Sequence, residues 1–383
     1  MPHLEDCIKQ VLKSWNKKEN LVIVFRVAHV LELYAFTIGK LLGDRSCICE
    51  LLMQLKETSM ERFFHVLEKN VREITHYSPS SLSSSRSPTT PTSDGKHHNN
   101  NSPVSDDTTM MMMIPDDLSP PELIQDMMEK LNEIMNTYNQ SVVPEDRREQ
   151  DFNHVLSAVV DPLLHKLDQL YHQSLQQQQQ QSAQNNSAEP TMSRSTLLPS
   201  KRSPARSISD VHVFVINCYF LMQNALGNFT FTTRKVEQIV STMDKHVELF
   251  IEHLSDSLLT QCGIAEKIAL IRSHSGSSST TTTATTATTP LSQVPGLEQA
   301  TLAEFLQKFY GDLFSLGSQL LMQKQCYQIT SARLRVYTQN KIASSLTSAY
   351  SLLHAAIFDP TNEYDKPEEF AYYTPQQVIT LLE

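Results

Sequence analysis

Glycine is scarce in this chain, nine residues out of 383. So little glycine leaves few sites for phosphate-cradling loops, and neither GxxxxGK[ST] nor GxGxxG occurs. The zinc-protease pattern HExxH and the nucleophile elbow GxSxG are missing as well. Six cysteines are too sparse for a disulfide-built scaffold and fit a reducing compartment. The closest pair, Cys47-Ile48-Cys49, has no further Cys or His at zinc-finger spacing, so it reads as two small apolar-like residues at a helix start. Positive charge is also short. The formal net charge is -10, with no basic face at the level of the whole chain, so nucleic acid is not an expected partner.

Two further absences concern membranes. Residues 1–20 mix Asp6, Lys9 and Lys13 with apolar residues in helical rather than leader-like order. No apolar run is read as reaching the roughly 18–20 residues needed to span a bilayer. The most apolar stretch, "VHVFVINCYFLMQNAL", carries Asn217, Gln223 and Asn224 and reads as a helix buried inside protein. The expectation is a cytosolic chain whose membrane association is peripheral.

What remains is helix. Leu4, Ile8, Val11, Leu12 and Trp15 mark one face of a first helix. Leu21, Val24, Phe25, Ala28, Leu31, Ala35, Ile38 and Leu42 mark a second. Gly43 suits its stop, and Asp44 or Ser46 suits the cap of a third helix carrying Leu51, Leu52, Leu55, Phe63, Val66, Leu67, Val71 and Ile74. Pro120 and Pro121 precede the amphipathic "ELIQDMMEKLNEIMNTY". The helix "DFNHVLSAVVDPLLHKLDQLY" contains Pro162, which should kink or split it. Val236, Val240, Met243, Val247, Phe250 and Leu254 alternate steps of four and three, a short heptad seam. Such a stripe either packs within the bundle, the usual fate of an amphipathic face, or offers a partner surface. His246 and His253 share a face of that helix and read as solvated. His97-His98 falls in a biased insert and reads the same way.

The expected architecture is all-α: an elongated stack of helical hairpins or bundles with disordered inserts. Helical segments span 1–77, 118–173, 210–274 and 297–383, the last closed by a tail. Three low-complexity inserts separate them: 78–117, the Gln/Ser-rich 174–209, and the Ser/Thr-rich 275–296. The second holds Gln176–Gln181 and "SKRSPARSIS", a solvated linker with phosphorylation or nuclear targeting as its functional readings. No constellation implies a catalytic residue, a metal or a cofactor, so the residues point to a binding scaffold rather than an enzyme.

Two blocks carry a resemblance. The first, "SVVPEDRREQDFNHVLSAVVDPLL", holds Ser141-Val142-Val143-Pro144, then Arg148-x-x-Asp151-Phe152, then Val155-Leu156-Ser157, then Asp161-Pro162-Leu163-Leu164. The second is the closing stretch: Pro360, Asn362-Glu363-Tyr364, Pro367-Glu368, Pro375-Gln376-Gln377-Val378 and Leu381-Leu382. Between them, Phe229, Phe231, Thr232 and Arg234 open a long helix. Together these resemble the sixth-subunit family of the conserved oligomeric Golgi (COG) complex. The resemblance implies a non-catalytic helical subunit of a vesicle tether on the cytosolic face of the Golgi membrane, peripherally bound. It implies a role in intra-Golgi retrograde transport, and so in Golgi organisation and glycosylation. Its implied partners are the other COG subunits, SNAREs, Rab GTPases and golgins. It also implies that the chain corresponds to the family's C-terminal helical legs, without the coiled-coil-rich N-terminal half. The alternative is a helical adaptor in signalling or the nucleus, resting on the glutamine tract and "SKRSPARSIS".

The closing segment "FDPTNEYDKPEEFAYYTPQQVITLLE" is expected to double back. Pro360 ends the preceding helix, and Phe358, Tyr364, Phe370, Tyr372 and Tyr373 are expected to pack on the last bundle. Thr374 should cap a short helix with Pro375 at its first position.

Overall fold

A computed structural model describes residues 20–43, 45–75, 114–185, 207–276, 289–316 and 324–382. Every regular element among the described residues is helical, and none is a strand, as the composition implied. The helices are α1 (Leu21–Leu42), α2 (Cys47–Thr75), α3 (Glu122–Asn139), α4 (Glu145–Asn185), α5 (Ile208–Leu226) and α6 (Thr233–Gln261). They continue with α7 (Ile264–Gly276), α8 (Gln299–Leu316), α9 (Lys324–Gln328), α10 (Ala332–Phe358) and α11 (Pro375–Leu382). The helix expected over Leu4–Trp15, the cap Asp44 and the pair His97-His98 lie outside the described residues. The chain divides into two compact units. One comprises Met1–Asp116, Pro120–Thr196 and Leu221–Val240; the other comprises Asp117–Ser119, Leu197–Phe220 and Ser241–Glu383.

In the first unit, α1 starts where the Asn20 side chain accepts from the N–H groups of Val22 and Ile23. It stops at Gly43, whose φ of 87° suits glycine and whose N–H reaches Gly39 O at 2.9 Å. Ser46 Oγ accepts from Cys49 N–H at 3.3 Å to start α2. Cys49 is buried and its thiol donates to Ala35 O. The core joins α1, α2, α3 and α4 through rings: Phe25 lies 4.9 Å from Phe63, and Tyr138 4.6 Å from Phe152. Phe231, from the 3-10 turn Thr230–Thr232, meets Phe152 at 5.2 Å. Such ring pairs add about 0.5–1.5 kcal/mol each beyond area burial.

Three features of this unit depart from the sequence reading. Of the kink or split expected at Pro162, the split does not occur, since α4 runs through it unbroken. Val159, Val160 and Leu163 are buried around it, and their packing offsets the roughly 3 kcal/mol that an interior proline costs. The same helix runs on to Asn185, into the insert expected to begin at residue 174, because glutamine is a good helix former. Most consequentially, α1 does reach spanning length, with 22 residues and an 18-residue window of mean hydropathy 1.8. Its charges hid this from a run-based reading. Two of them pair with neighbouring helices, Arg26 with Glu133 of α3 at 3.2 Å and Glu32 with Lys56 of α2, and within α1 His29 meets Glu32 at 3.1 Å. Only 39% of the apolar window is buried within the protein. The His29 hydrogen bond, with Lys56 behind it, holds the Glu32 carboxyl down at about 2.

In the second unit, Val211, Val213, Phe214, Val215 and Ile216 of α5 are all buried, so that stretch is apolar all round, as its composition implied. Asn217 is buried among them at 1% exposure. Its Nδ2 donates to Leu118 O at 2.9 Å and to Gln328 O at 2.8 Å, and its Oδ1 accepts from Thr330 N–H at 2.8 Å. Leu118 sits at φ 56° with its side chain buried.

The tail doubles back as expected. Asp359 caps the turn after α10 by accepting from Thr361 N–H at 2.9 Å, and Asn362 Nδ2 donates to Ala356 O at 2.8 Å. The Tyr364 hydroxyl donates to Leu297 O at 2.8 Å. The Gln299 amide clasps Asp365 by both its N–H and its C=O, at 2.9 and 3.0 Å. The hydroxyls of Tyr310 and Tyr350 meet at 2.7 Å, and Tyr350 donates on to Tyr373 O. Thr374 and Gln377 form a reciprocal capping box that opens α11 at Pro375, and Val378 and Leu382 bury its inner face. Phe370 is buried, and Tyr372, though 51% exposed, packs its ring 4.8 Å from that of Tyr310; Phe358, 40% exposed, goes against expectation. Phe358 instead stacks on His354 at 4.4 Å.

Replacing Asn217 by Leu removes three hydrogen bonds and leaves buried backbone groups unpaired, at about 1–3 kcal/mol each. The Asn217→Leu chain is expected to unfold at markedly lower urea, with the slope of the transition unchanged, in denaturant titrations followed by circular dichroism.

Candidate interaction surfaces

The apolar stripes of the helices divide between buried and exposed faces. Along the α6 seam, Met243, Val247, Phe250 and Leu254 are buried, while Val236 and Val240 are half-buried. The stripe is spent on internal packing rather than offered to a partner. His246, on the same helix, is also buried at 5% exposure, so its reading as solvated is corrected. It lies 5.7 Å from the His212 ring and 5.6 Å from Tyr219. His253 stays exposed and reaches Ser209 Oγ at 3.0 Å. Period alone cannot tell a histidine on the rim of an apolar stripe from one inside it. The nearby α5 run, apolar on every face, was the available signal.

Burial, with His246 and His253 adding to it, pushes the His212 imidazole down to about 3. Among the described residues, no three His, Cys, Asp or Glu side chains gather as a metal set would. The Cys218 thiol is likewise pushed up by burial, which suits an inert core cysteine rather than a nucleophile.

Exposed apolar side chains gather elsewhere, on α1. Ile23, Val30, Leu33, Tyr34, Phe36, Leu41 and Leu42 are each at least 42% exposed, and Leu41 is 78% exposed. Beside them, between α1 and the end of α3, runs a groove of about 400 Å³ whose lining includes Arg26, Val30, Leu33, Thr137 and Val142.

Comparison with known proteins was decisive for family. The family described as "Conserved Oligomeric Golgi complex subunit 6, C-terminal" matches residues 7–382. The chain belongs to this family. A conserved oligomeric Golgi complex subunit 6 from Arabidopsis thaliana is 26% identical over 98% of this chain and 48% of its own length. The Dictyostelium discoideum subunit 6 is 24% identical over 98% of this chain and 45% of its own. The chain therefore spans less than half the length of these curated relatives. Exo70 of S. cerevisiae overlays 99% of this chain and 61% of its own with a TM-score of 0.49 at 13% identity. At that score the likeness carries no weight for function.

The residues that carried the resemblance prove to be architectural. Arg148 clasps the α3–α4 turn through Val143 O at 3.0 Å and Asn139 Oδ1 at 3.1 Å. Asp161 accepts from the buried Lys235 at 2.8 Å. Thr232 Oγ1 donates to the Leu226 and Phe229 carbonyls, both at 2.7 Å. In the tail, Asn362, Tyr364 and Gln377 make the bonds already described.

Two outcomes test this assignment of faces. Val247→Asp places a carboxylate at a position 2% exposed and is expected to cost about 3 kcal/mol or more. Helical signal should fall broadly in thermal melts, where a surface residue would leave the melt unchanged. For His212 the folded value lies below the ordinary 6.5, so its stabilisation is present above 6.5 and lost as pH falls from there toward 3. One unshared proton is worth about 1.4 kcal/mol per pH unit. Stability measured between pH 7 and pH 5 is expected to fall less steeply in His212→Gln than in the parent chain.

Proposed function

We propose that this chain is a non-catalytic subunit of the conserved oligomeric Golgi vesicle-tethering complex. It acts in intra-Golgi retrograde transport, and through that in Golgi organisation and glycosylation. It works at the cytosolic face of the Golgi membrane as a peripheral component. Its partners are the other COG subunits, with SNAREs, Rab GTPases and golgins as the membrane-side contacts. The observation that carries this reading is the family match over residues 7–382, together with relatives that are themselves named as subunit 6.

The side-chain chemistry supports the same reading. A scaffold needs its sequence-specific residues for holding helices at fixed angles, and that is how Arg148, Asp161, Thr232, Tyr364 and Gln377 are used. An enzyme of this size would instead concentrate ionisable groups in a cleft.

The test is assembly. The chain, tagged, is expressed in cells lacking the endogenous subunit, and co-purification of the other complex subunits is measured alongside lectin staining of surface glycans. Recovery of the neighbours with restored staining is the expected result. A soluble, helical chain that recovers none of them and leaves staining defective would overturn the proposal.

A further inference from the structure

A surface helix ordinarily has one apolar stripe, directed at the core. Helix α1 has two. Phe25, Ala28, Leu31 and Ala35 are buried on its inner face. On the outer face Ile23, Val27, Val30, Tyr34, Thr37 and Leu41 follow one another in steps of four and three, the spacing of a coiled-coil seam. Ile23, Val30, Tyr34 and Leu41 are 42–78% exposed and Thr37 is exposed, while Val27, at the margin of the seam, is half-buried and packs against the core cluster of Leu31, Ala35, Leu52 and Leu55. From end to end this is about 27 Å of helix at 1.5 Å per residue. The two edges of the seam differ. Val24, Leu31 and Ile38 on one edge turn toward the core, while Arg26, Leu33 and Lys40 on the other edge are exposed at seven-residue spacing. The groove along this second edge is lined by Arg26, Val30, Leu33 and Val142.

We propose that the outer face of α1 docks an amphipathic helix of another polypeptide, one that carries acidic residues along the edge facing Arg26 and Lys40. The regular step of four and three selects a helical partner, since a strand or an extended peptide cannot follow it with knobs into holes. The exposed edge is basic, and the pairing of flanking charges sets partner choice in such seams. The Arg26–Glu133 pair does not close the edge, because both side chains are more than half exposed and such a pair is weak. A second copy of this chain is a poor occupant, as an antiparallel pair would set one Arg26–Lys40 edge against another. A lipid surface is a poor one too. Only two basic residues flank the seam, against the roughly four to eight that anionic headgroups recruit. The chain also carries a net charge of -10, which an anionic leaflet repels. The proposal goes beyond the tether role by naming a surface and the chemistry of its partner, and no step of it rests on that role.

The test uses the purified full chain and a fluorescent heptad peptide with Leu and Ile in its core positions and Glu on its flanks. A twin peptide has Lys in place of Glu. Anisotropy titrations are expected to show at least about tenfold tighter binding of the Glu peptide. Tyr34→Asp should abolish it. Arg26→Glu with Lys40→Glu, both on exposed side chains, should transfer the preference to the Lys peptide. An unchanged thermal melt confirms that each variant is folded. Equal binding of the two peptides, binding of neither, or affinity untouched by the charge reversal would each overturn the proposal. So would Tyr34-dependent flotation on phosphatidylcholine–phosphatidylserine vesicles without peptide preference, which would make the face a lipid contact. Dimers in sedimentation that dissociate in Tyr34→Asp would overturn it as well, by giving the seam to a second copy.

Discussion

The amide of Asn217 is the constraint on which the second unit depends. With His212, it is one of two buried polar side chains in an otherwise apolar stretch of α5, and it reaches three backbone groups from two other segments. An uncompensated amide at that depth would cost several kcal/mol, so the position is stable only if all its hydrogen-bonding capacity is used. Used that way, it fixes what apolar packing alone leaves free. Hydrophobic contact is non-directional and tolerates sliding or rotation of one helix on another. Three directed bonds from a single side chain do not. They hold Leu118 in a left-handed conformation that a branched apolar residue seldom adopts, and they set the Gln328–Thr330 turn against α5.

The same logic runs through the rest of the chain's polar interior. Lys235 reaches Asp161, Arg148 ties a turn, Gln299 clasps a peptide unit of the tail, and Tyr310 and Tyr350 relay to Tyr373. Each joins segments that lie far apart in sequence or closes an irregular connection. All-helical domains have no ladder of strand hydrogen bonds to fix their register. Side chains that bond the exposed backbone of turns and caps take over that task. This explains why a family signature can be dense and specific while containing no reactive group. The signature marks where helices are joined and irregular segments anchored, and that is the requirement on a scaffold whose output is a shape.

Much of this was legible in the sequence. The core faces of α1 and α2, the stop at Gly43, the cap at Ser46, and the Thr374–Pro375 start of α11 all follow from period and capping chemistry, which are local. The tail's return was legible because aromatic density and the helix-ending Pro360 point the same way. The misses are non-local. Whether His246 faces water depends on the apolar wall of α5, distant in sequence, and a wheel drawn for α6 alone cannot contain it. That α4 continues through glutamines depends on a well-packed helix already being in place to propagate, since extension is far easier than nucleation. The spanning length of α1 was hidden by Arg26 and Glu32, which pair with Glu133 and Lys56 on other helices.

The two faces of α1 show how far pattern reasoning goes. The inner and outer stripes overlap in sequence, so a single period of 3.6 accounts for the inner set and leaves Ile23, Val30, Tyr34 and Leu41 as scattered apolar residues. Only when burial removes the inner set does the spacing of four and three appear in what is left. Isolated exposed apolar residues need no explanation, because folded proteins leave much apolar surface in water. A regular series on one helix, flanked on one side by positive charge and by a groove, is different. Such a row is an association hazard unless something covers it, and the helix that bears it is held in place by its opposite face, so it is rigid before any partner arrives. A preformed, charged-edge seam reduces the ordering cost of binding to what the incoming helix itself must lose.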